Sequence, residues 1–279
     1  MAWMDYHLHT ADSADSDESM ERVCARAVEL GLSEICFTEH YDTDPFDVGY
    51  GHYDDARYER RLSAVRRQFA GRLVIRKGLE FDFQSRHTAR LRERLAPYSF
   101  DFLLGSVHCV FGSMPRRAIA ERGYPPDEVY RAYFNELRAL IATGLSHCLA
   151  HLDYVRKTCA DILGAYYYGD YEQEMDDVIA RLVAGGMGLE VNARNFDNGQ
   201  PLAPAVDVLR MYHEAGGRLV TVGSDAHAAC EVGRGLAAAC HQLRAAGFTE
   251  YMAFEAGRPA GRPLPGQREI LAALPPEIG

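Results

Sequence analysis

Lysine is nearly absent from this sequence: of its 30 basic residues, only Lys77 and Lys157 are not arginine. That skew reads as composition bias rather than chemistry. Positive charge is short overall, because 40 acidic residues leave a formal net charge of −10. A protein that grips phosphate backbones at large is usually basic, so wholesale nucleic-acid binding is disfavoured. A local group of arginines still suffices for one small anionic ligand. No run approaches the ~18 apolar residues of a membrane helix. The opening MAWMDYHLHT lacks a basic stretch followed by an apolar one, so neither a signal peptide nor a membrane role is expected. The seven cysteines include no CxxC pair, which points to reduced thiols in the cytoplasm, mostly buried as small hydrophobes. No repeat and no Pro- or Ser-rich linker divides the chain. One domain over 1–279 is expected, with a core over about 4–257 and a loosely packed tail over 258–279. An apolar share of 47% is enough to build that core.

Strand-like runs alternate with helical patterns. The strands are predicted at 3–8, 34–39, 73–80, 101–107, 147–151, 187–191 and 218–223, with a short eighth at 251–255. Between them, 126–144 places Val129, Tyr133, Leu137 and Leu140 on one helical face. The segment 54–70 does the same with Leu62, Val65 and Phe69, and 203–215 with Val206, Leu209 and Tyr212. Gly31, Gly71, Gly144 and Gly216 stand where helices should stop. The long connections at 41–53 and 111–125 have the length of lids or substrate loops. This alternation predicts a parallel sheet, either open or closed into a barrel.

The polar residues choose between the two. His7 and His9 end the first strand, His40 the second, Glu80 the third, His108 the fourth and His151 the fifth. Glu190 and Asn192 end the sixth, and Asp225 and His227 the seventh. In a parallel barrel all strand C-termini converge on one rim, whereas in an open sheet they spread along a line. Convergence favours the barrel. Imidazoles and carboxylates without thiolates suit Zn²⁺, Mn²⁺ or Fe²⁺, and the set exceeds the needs of one ion. His52, His87, His147, His213 and His241 lie elsewhere and are read as locally satisfied.

These segments resemble a known family. His7-Leu8-His9, Thr38-Glu39-His40, Gly78-Leu79-Glu80, Ser106-Val107-His108, Ala150-His151-Leu152-Asp153 and Ser224-Asp225-Ala226-His227 are similar, in order and spacing, to motifs of the polymerase-and-histidinol-phosphatase (PHP) superfamily. Ala150 to Arg156, Gly188 to Asn192 and Tyr212 to Gly217 bring the chain nearest to its histidinol-phosphate phosphatases. The resemblance implies a distorted (β/α)7 barrel with a trinuclear metal centre. His7, His9, Glu80 and Asp225 would hold one ion. Glu80 would bridge to a second, held by His108 and His151. Asp15, His40 and His227 would hold the third. The implied reaction is hydrolysis of a small phosphate monoester, with L-histidinol phosphate as the expected substrate, in histidine biosynthesis. The segments Cys109 to Arg117 and Ala193 to Phe196 depart from the family pattern where the organic part should sit, which leaves the released alcohol open.

Arg156 is the first candidate to clamp phosphate, because a guanidinium pairs two oxygens at once. Arg116, Arg117 and Arg194 are further candidates, and Asn192 is expected at the substrate. Asp225 or His227 would protonate the leaving oxygen. Two other readings stay open: a nuclease acting on DNA ends, and a metal-binding protein without catalysis. Oligomeric state is not encoded in any feature of the sequence.

Overall fold

The computed structural model describes residues 3–163, 168–194, 196 and 201–273. Seven strands run parallel in sequence order: β1 (Trp3–Leu8), β2 (Leu32–Tyr41), β3 (Val74–Asp82), β4 (Phe102–Ser106), β5 (Cys148–Leu149), β6 (Gly188–Asn192) and β7 (Val220–Gly223). The two edges of this sheet meet. Asp225 N–H donates to His7 O and His9 N–H to Ala226 O, both at 2.9 Å, which closes the ring just beyond the end of β7. The result is a nearly closed β/α barrel, as the strand-end residues predicted.

Helices α1 (Met20–Glu29), α2 (Asp55–Gln68), α3 (Thr88–Leu95), α4 (Pro115–Ala120), α5 (Pro126–Thr143), α6 (Tyr154–Leu163), α7 (Glu172–Gly185), α8 (Val206–Glu214) and α9 (Leu236–Ala245) lie between and after the strands. The predicted apolar faces are the buried ones. Val129, Tyr133, Leu137 and Leu140 of α5, and Leu62 and Val65 of α2, are all at most 2% exposed. Caps set the helix ends. Ser19 accepts from Arg22 N–H at the start of α1, Asp54 from Arg57 N–H at the start of α2, and Gly144 ends α5 at φ 62°, where a side chain would be strained.

Four expectations need correction. The loop predicted at 111–125 contains α4, which starts with Pro115 in its first turn. The helix predicted from residue 203 starts at Val206. The fifth strand, predicted over 147–151, pairs as a strand only at Cys148 and Leu149. The tail is not loose: β8 (Glu250–Glu255) and β9 (Arg258–Pro263) form an antiparallel hairpin, and α10 (Gln267–Ala273) follows, with Leu264 and Ile270 buried. The rest of the tail, 274–279, lies outside the described residues. This hairpin plugs the N-terminal end of the barrel. Phe254 packs on Phe102 and Tyr6, and its N–H donates to the Tyr6 hydroxyl at 2.8 Å. With that end sealed, the opposite rim is left for chemistry. All seven cysteines are free thiols, six of them buried.

Candidate metal centre

Alternation along strands aims the ligand-type residues inward. His7 and His9 are two apart on β1 and its extension, so they share a face. His40 on β2 stands directly opposite Glu80 on β3 in the parallel register. His108 comes two residues after β4, His151 two after β5, and Asp225 two after β7. His151 (φ 24°) and Asp225 (φ 54°) hold left-handed backbones that non-glycine residues rarely adopt. Each such residue costs about 1–3 kcal/mol, and such strain collects at functional sites.

The side chains form three contiguous groups, each with ligand atoms within 4.8 Å of one another: His7, His9 and Asp225; Glu80, His108 and His151; and His9, His40 and His227. Glu80 joins them. Its Oε2 lies 3.2 Å from His7 Nε2, 3.5 Å from His9 Nε2 and 3.1 Å from His40 Nδ1, while its Oε1 lies 3.1 Å from His151 Nε2 and 3.5 Å from His108 Nε2. Asp15 reaches in from its loop, with Oδ2 3.0 Å from His227 Nε2 and 3.4 Å from His40 Nε2; it is half exposed.

The electrostatics are those of a cation site. Burial works against charge on Glu80, but His7, His40 and His108 outweigh it and hold its carboxyl well below the usual range. Burial also opposes charge on His7, yet Glu190, Glu80 and Asp225 raise it well above an ordinary histidine. His9 goes the other way: burial and three neighbouring imidazoles keep it neutral, with its pKa well below ordinary. Its Nε2 is buried without a hydrogen-bond partner, although Glu80 Oε2 and Asp225 Oδ1 lie 3.5 and 3.6 Å away. A neutral imidazole lone pair aimed between two carboxylates fits a divalent cation, and so does the facing of His108 Nε2 and His151 Nε2 at 3.3 Å. The donors are nitrogen and oxygen only, which suits Zn²⁺, Mn²⁺ or Fe²⁺.

A second layer fixes the ring orientations, and sequence reasoning assigned no role to most of it. Glu190 Oε1 takes the His7 Nδ1 hydrogen at 2.5 Å, which leaves Nε2 facing the cluster. Ser13 Oγ stands 3.1 Å from His9 Nδ1, accepts from His40 N–H at 2.9 Å and donates to Glu39 at 2.6 Å. Glu39 is fully buried, and burial pushes its carboxyl up to about 7 against the hydrogen bonds it receives from Ser13 and Thr10. Asp82 accepts from His108 N–H at 2.8 Å. The available signal was positional: Glu39 and Glu190 are strand carboxylates beside or level with the histidines.

The candidate substrate residues divide. Arg194 Nη1 donates to Asp225 Oδ1 at 2.7 Å and reaches His227 Nδ1 at 2.7 Å, so it belongs to the cluster. Arg156 lies in the first turn of α6, its Nη1 3.6 Å from Asp153 Oδ2, and is partly exposed. Arg117 is corrected: it is on the exposed side of α4, paired with Glu121 at 2.6 Å. Asn192 is corrected too. It is fully buried behind the cluster, where its Nδ2 donates to Asp225 Oδ2 at 3.2 Å, so it braces a ligand-type residue and does not face the opening. Arg116 shares α4 with Arg117. Asn195 lies outside the described residues. His147 accepts from Leu103 N–H at the opposite end of the barrel, away from the site. Among the described residues, no helix is long and apolar enough to cross a membrane.

Comparison with known proteins bears on the family and the fold. The PHP domain family matches over residues 5–194. A probable histidinol-phosphatase of Thermotoga maritima is 27% identical, over 90% of this chain and 95% of its own. Its counterpart in Deinococcus radiodurans is 30% identical, over 87% of this chain and 93% of its own. A histidinol phosphate phosphatase of Lactococcus lactis, solved with zinc, L-histidinol and phosphate, has the same fold. It gives a TM-score of 0.80 at 24% identity, over 92% of this chain and 98% of that one.

Proposed function

The chain belongs to the PHP domain family, and from that premise we propose that it is a metal-dependent phosphomonoesterase that hydrolyses L-histidinol phosphate to L-histidinol and phosphate, a cytoplasmic step of histidine biosynthesis. The observation that carries this reading is the convergence of three ligand groups on Glu80 at one rim, with a guanidinium held beside them. Relatives that match nearly end to end and carry the histidinol-phosphatase name support the choice of substrate.

His7, His9, Glu80 and Asp225 would hold one ion, Glu80 with His108 and His151 a second, and Asp15, His40 and His227 a third. Bound there, divalent ions supply hydroxide near neutral pH and offset the charge of the phosphoryl oxygens. The protein's own groups do the remainder. Arg194 offers guanidinium donors where the phosphate would lie, and Arg156 is a second clamp for it. His227 or Asp225 would pass a proton to the leaving oxygen of the alcohol, a role with which metal ligation competes. Glu190, Ser13 and Glu39 hold the imidazoles so that no reorganisation is needed at the reacting centre.

Phosphate release from histidinol phosphate, beside a panel of small phosphomonoesters and a DNA 3′ end, tests the proposal on purified protein. Turnover should be fastest on histidinol phosphate, vanish after chelation and return with Zn²⁺ or Mn²⁺. Another ester turned over far better would remove the substrate assignment. Full activity after chelation would remove the metal reading.

A further inference from the structure

Tyr154 opens α6, three residues after His151. Its ring centroid lies 5.0 Å from that of His108 and 5.0 Å from that of His151, so the phenol is wedged against the two imidazoles that converge on Glu80. Its backbone groups are spent on the helix start: its N–H donates to His151 O at 2.8 Å, and its carbonyl accepts from Thr158 Oγ1 at 2.9 Å. The hydroxyl has no hydrogen-bond partner among the described residues.

Four of the tyrosines packed into the core differ from it. Tyr6 donates to Glu34 at 2.5 Å, Tyr58 to Phe37 O at 2.9 Å, Tyr133 to Leu152 O at 2.9 Å and Tyr212 to Met187 O at 3.0 Å. An enclosed phenol normally finds a partner. Tyr154 keeps part of its surface open, beside the cluster. A phenolic hydroxyl is a hydrogen-bond donor. What such a donor lacks is an anionic acceptor arriving beside the Glu80, His108 and His151 group.

Resting on the phosphomonoesterase reading, we propose that the Tyr154 hydroxyl donates a hydrogen bond to a non-bridging phosphate oxygen of the bound substrate, making Tyr154 a phosphate-binding residue beside Arg194.

Tyr154→Phe tests this, since it keeps the ring against both imidazoles and deletes only the hydroxyl. In metal-loaded protein, calorimetric titration with inorganic phosphate should show a dissociation constant raised about tenfold or more, the size expected for a lost hydrogen bond to a charged group. kcat/KM on histidinol phosphate should fall by a similar factor, with bound metal and Tm unchanged. Phosphate affinity equal to wild type in a folded, metal-replete variant would overturn the proposal, whatever happens to kcat. If phosphate affinity falls but even the wild-type protein hydrolyses no phosphomonoester, the Tyr154 contact stands and the hydrolytic reading falls instead.

Discussion

Ser13→Ala should weaken metal binding as well as the fold, and the two effects can be separated. The Ser13 hydroxyl is buried at 1% exposure and serves three groups: it donates to Glu39 at 2.6 Å, accepts from His40 N–H at 2.9 Å and stands 3.1 Å from His9 Nδ1. Alanine removes one of three donors to a buried carboxylate; the two left are Thr10 N–H at 2.9 Å and Thr10 Oγ1 at 2.6 Å. It also strands the His40 N–H. An unpaired buried group costs about 1–3 kcal/mol, so a total loss of about 3 kcal/mol is expected in urea unfolding of the metal-free protein. The second effect runs through His9. Without an acceptor at Nδ1, nothing selects the tautomer that leaves Nε2 free towards Glu80 and Asp225. Loss of such a partner typically costs 10–100-fold in metal affinity. Competition with a chromophoric chelator for Zn²⁺ measures this directly. Thr10→Val is the control: it removes a different donor to Glu39 without touching His9, so it should lower stability and spare affinity. In a Glu39→Gln background the Ser13→Ala change should do less harm than in wild type, because the hydroxyl then binds a neutral amide. Zinc affinity within twofold of wild type for Ser13→Ala, with stability reduced, would refute the argument and leave the hydroxyl a loop-holding group.

Gly223→Ala should be among the most damaging single-methyl changes. Its Cβ would fall 2.3 Å from His7 Cβ and 2.6 Å from Glu190 Oε1, so thermal melts should show a large drop in Tm from overpacking worth about 1–3 kcal/mol or more. Glu190→Gln removes the charge that orients His7 and accepts from His151 N–H at 3.0 Å, so less metal should remain bound after gel filtration than in wild type. Arg194→Ala should lower kcat/KM by a factor equivalent to about 2 kcal/mol or more, whereas Arg117→Ala should match wild type, because its guanidinium is engaged with Glu121 on the exposed side of α4.

Legibility followed the range of the interaction. The α5 face was readable because Val129, Tyr133, Leu137 and Leu140 repeat at helical spacing, and all of them pack inward. The six-residue α4 was missed because it is too short to show a period, although Pro115 in its first turn is a start signal. The β9 strand was missed because Pro259 and Pro263 read as breakers. It sits at the edge of a two-stranded hairpin, where a missing N–H donor is tolerated. Asn192 was placed at the substrate because it ends a strand. Position along a strand gives a face but not a depth, and its side chain lies under Asp225 instead of at the opening. Arg117 was a candidate because its segment, Cys109 to Arg117, was expected to frame the substrate, yet α4 turns it outward.

The sequence alone determined the chemistry available: nitrogen and oxygen ligand types at successive strand ends, a parallel alternation to carry them, and no thiolate pair or basic surface to suggest other work. Those properties are local, since they depend on residue identity and on spacings of two or of three to four. Only the tertiary structure decided which residues act together. Asp225 lies 3.7 Å from His7 Nε2 only because β7 closes back on β1, across more than two hundred residues of chain. Glu80 reaches five histidines because its strand sits between neighbours whose register is set by the whole ring. The tautomer of His7 is set by Glu190, a carboxylate brought from 183 residues away by the ring of strands. A sequence pattern specifies what each strand end can bind, and barrel closure specifies what it binds with.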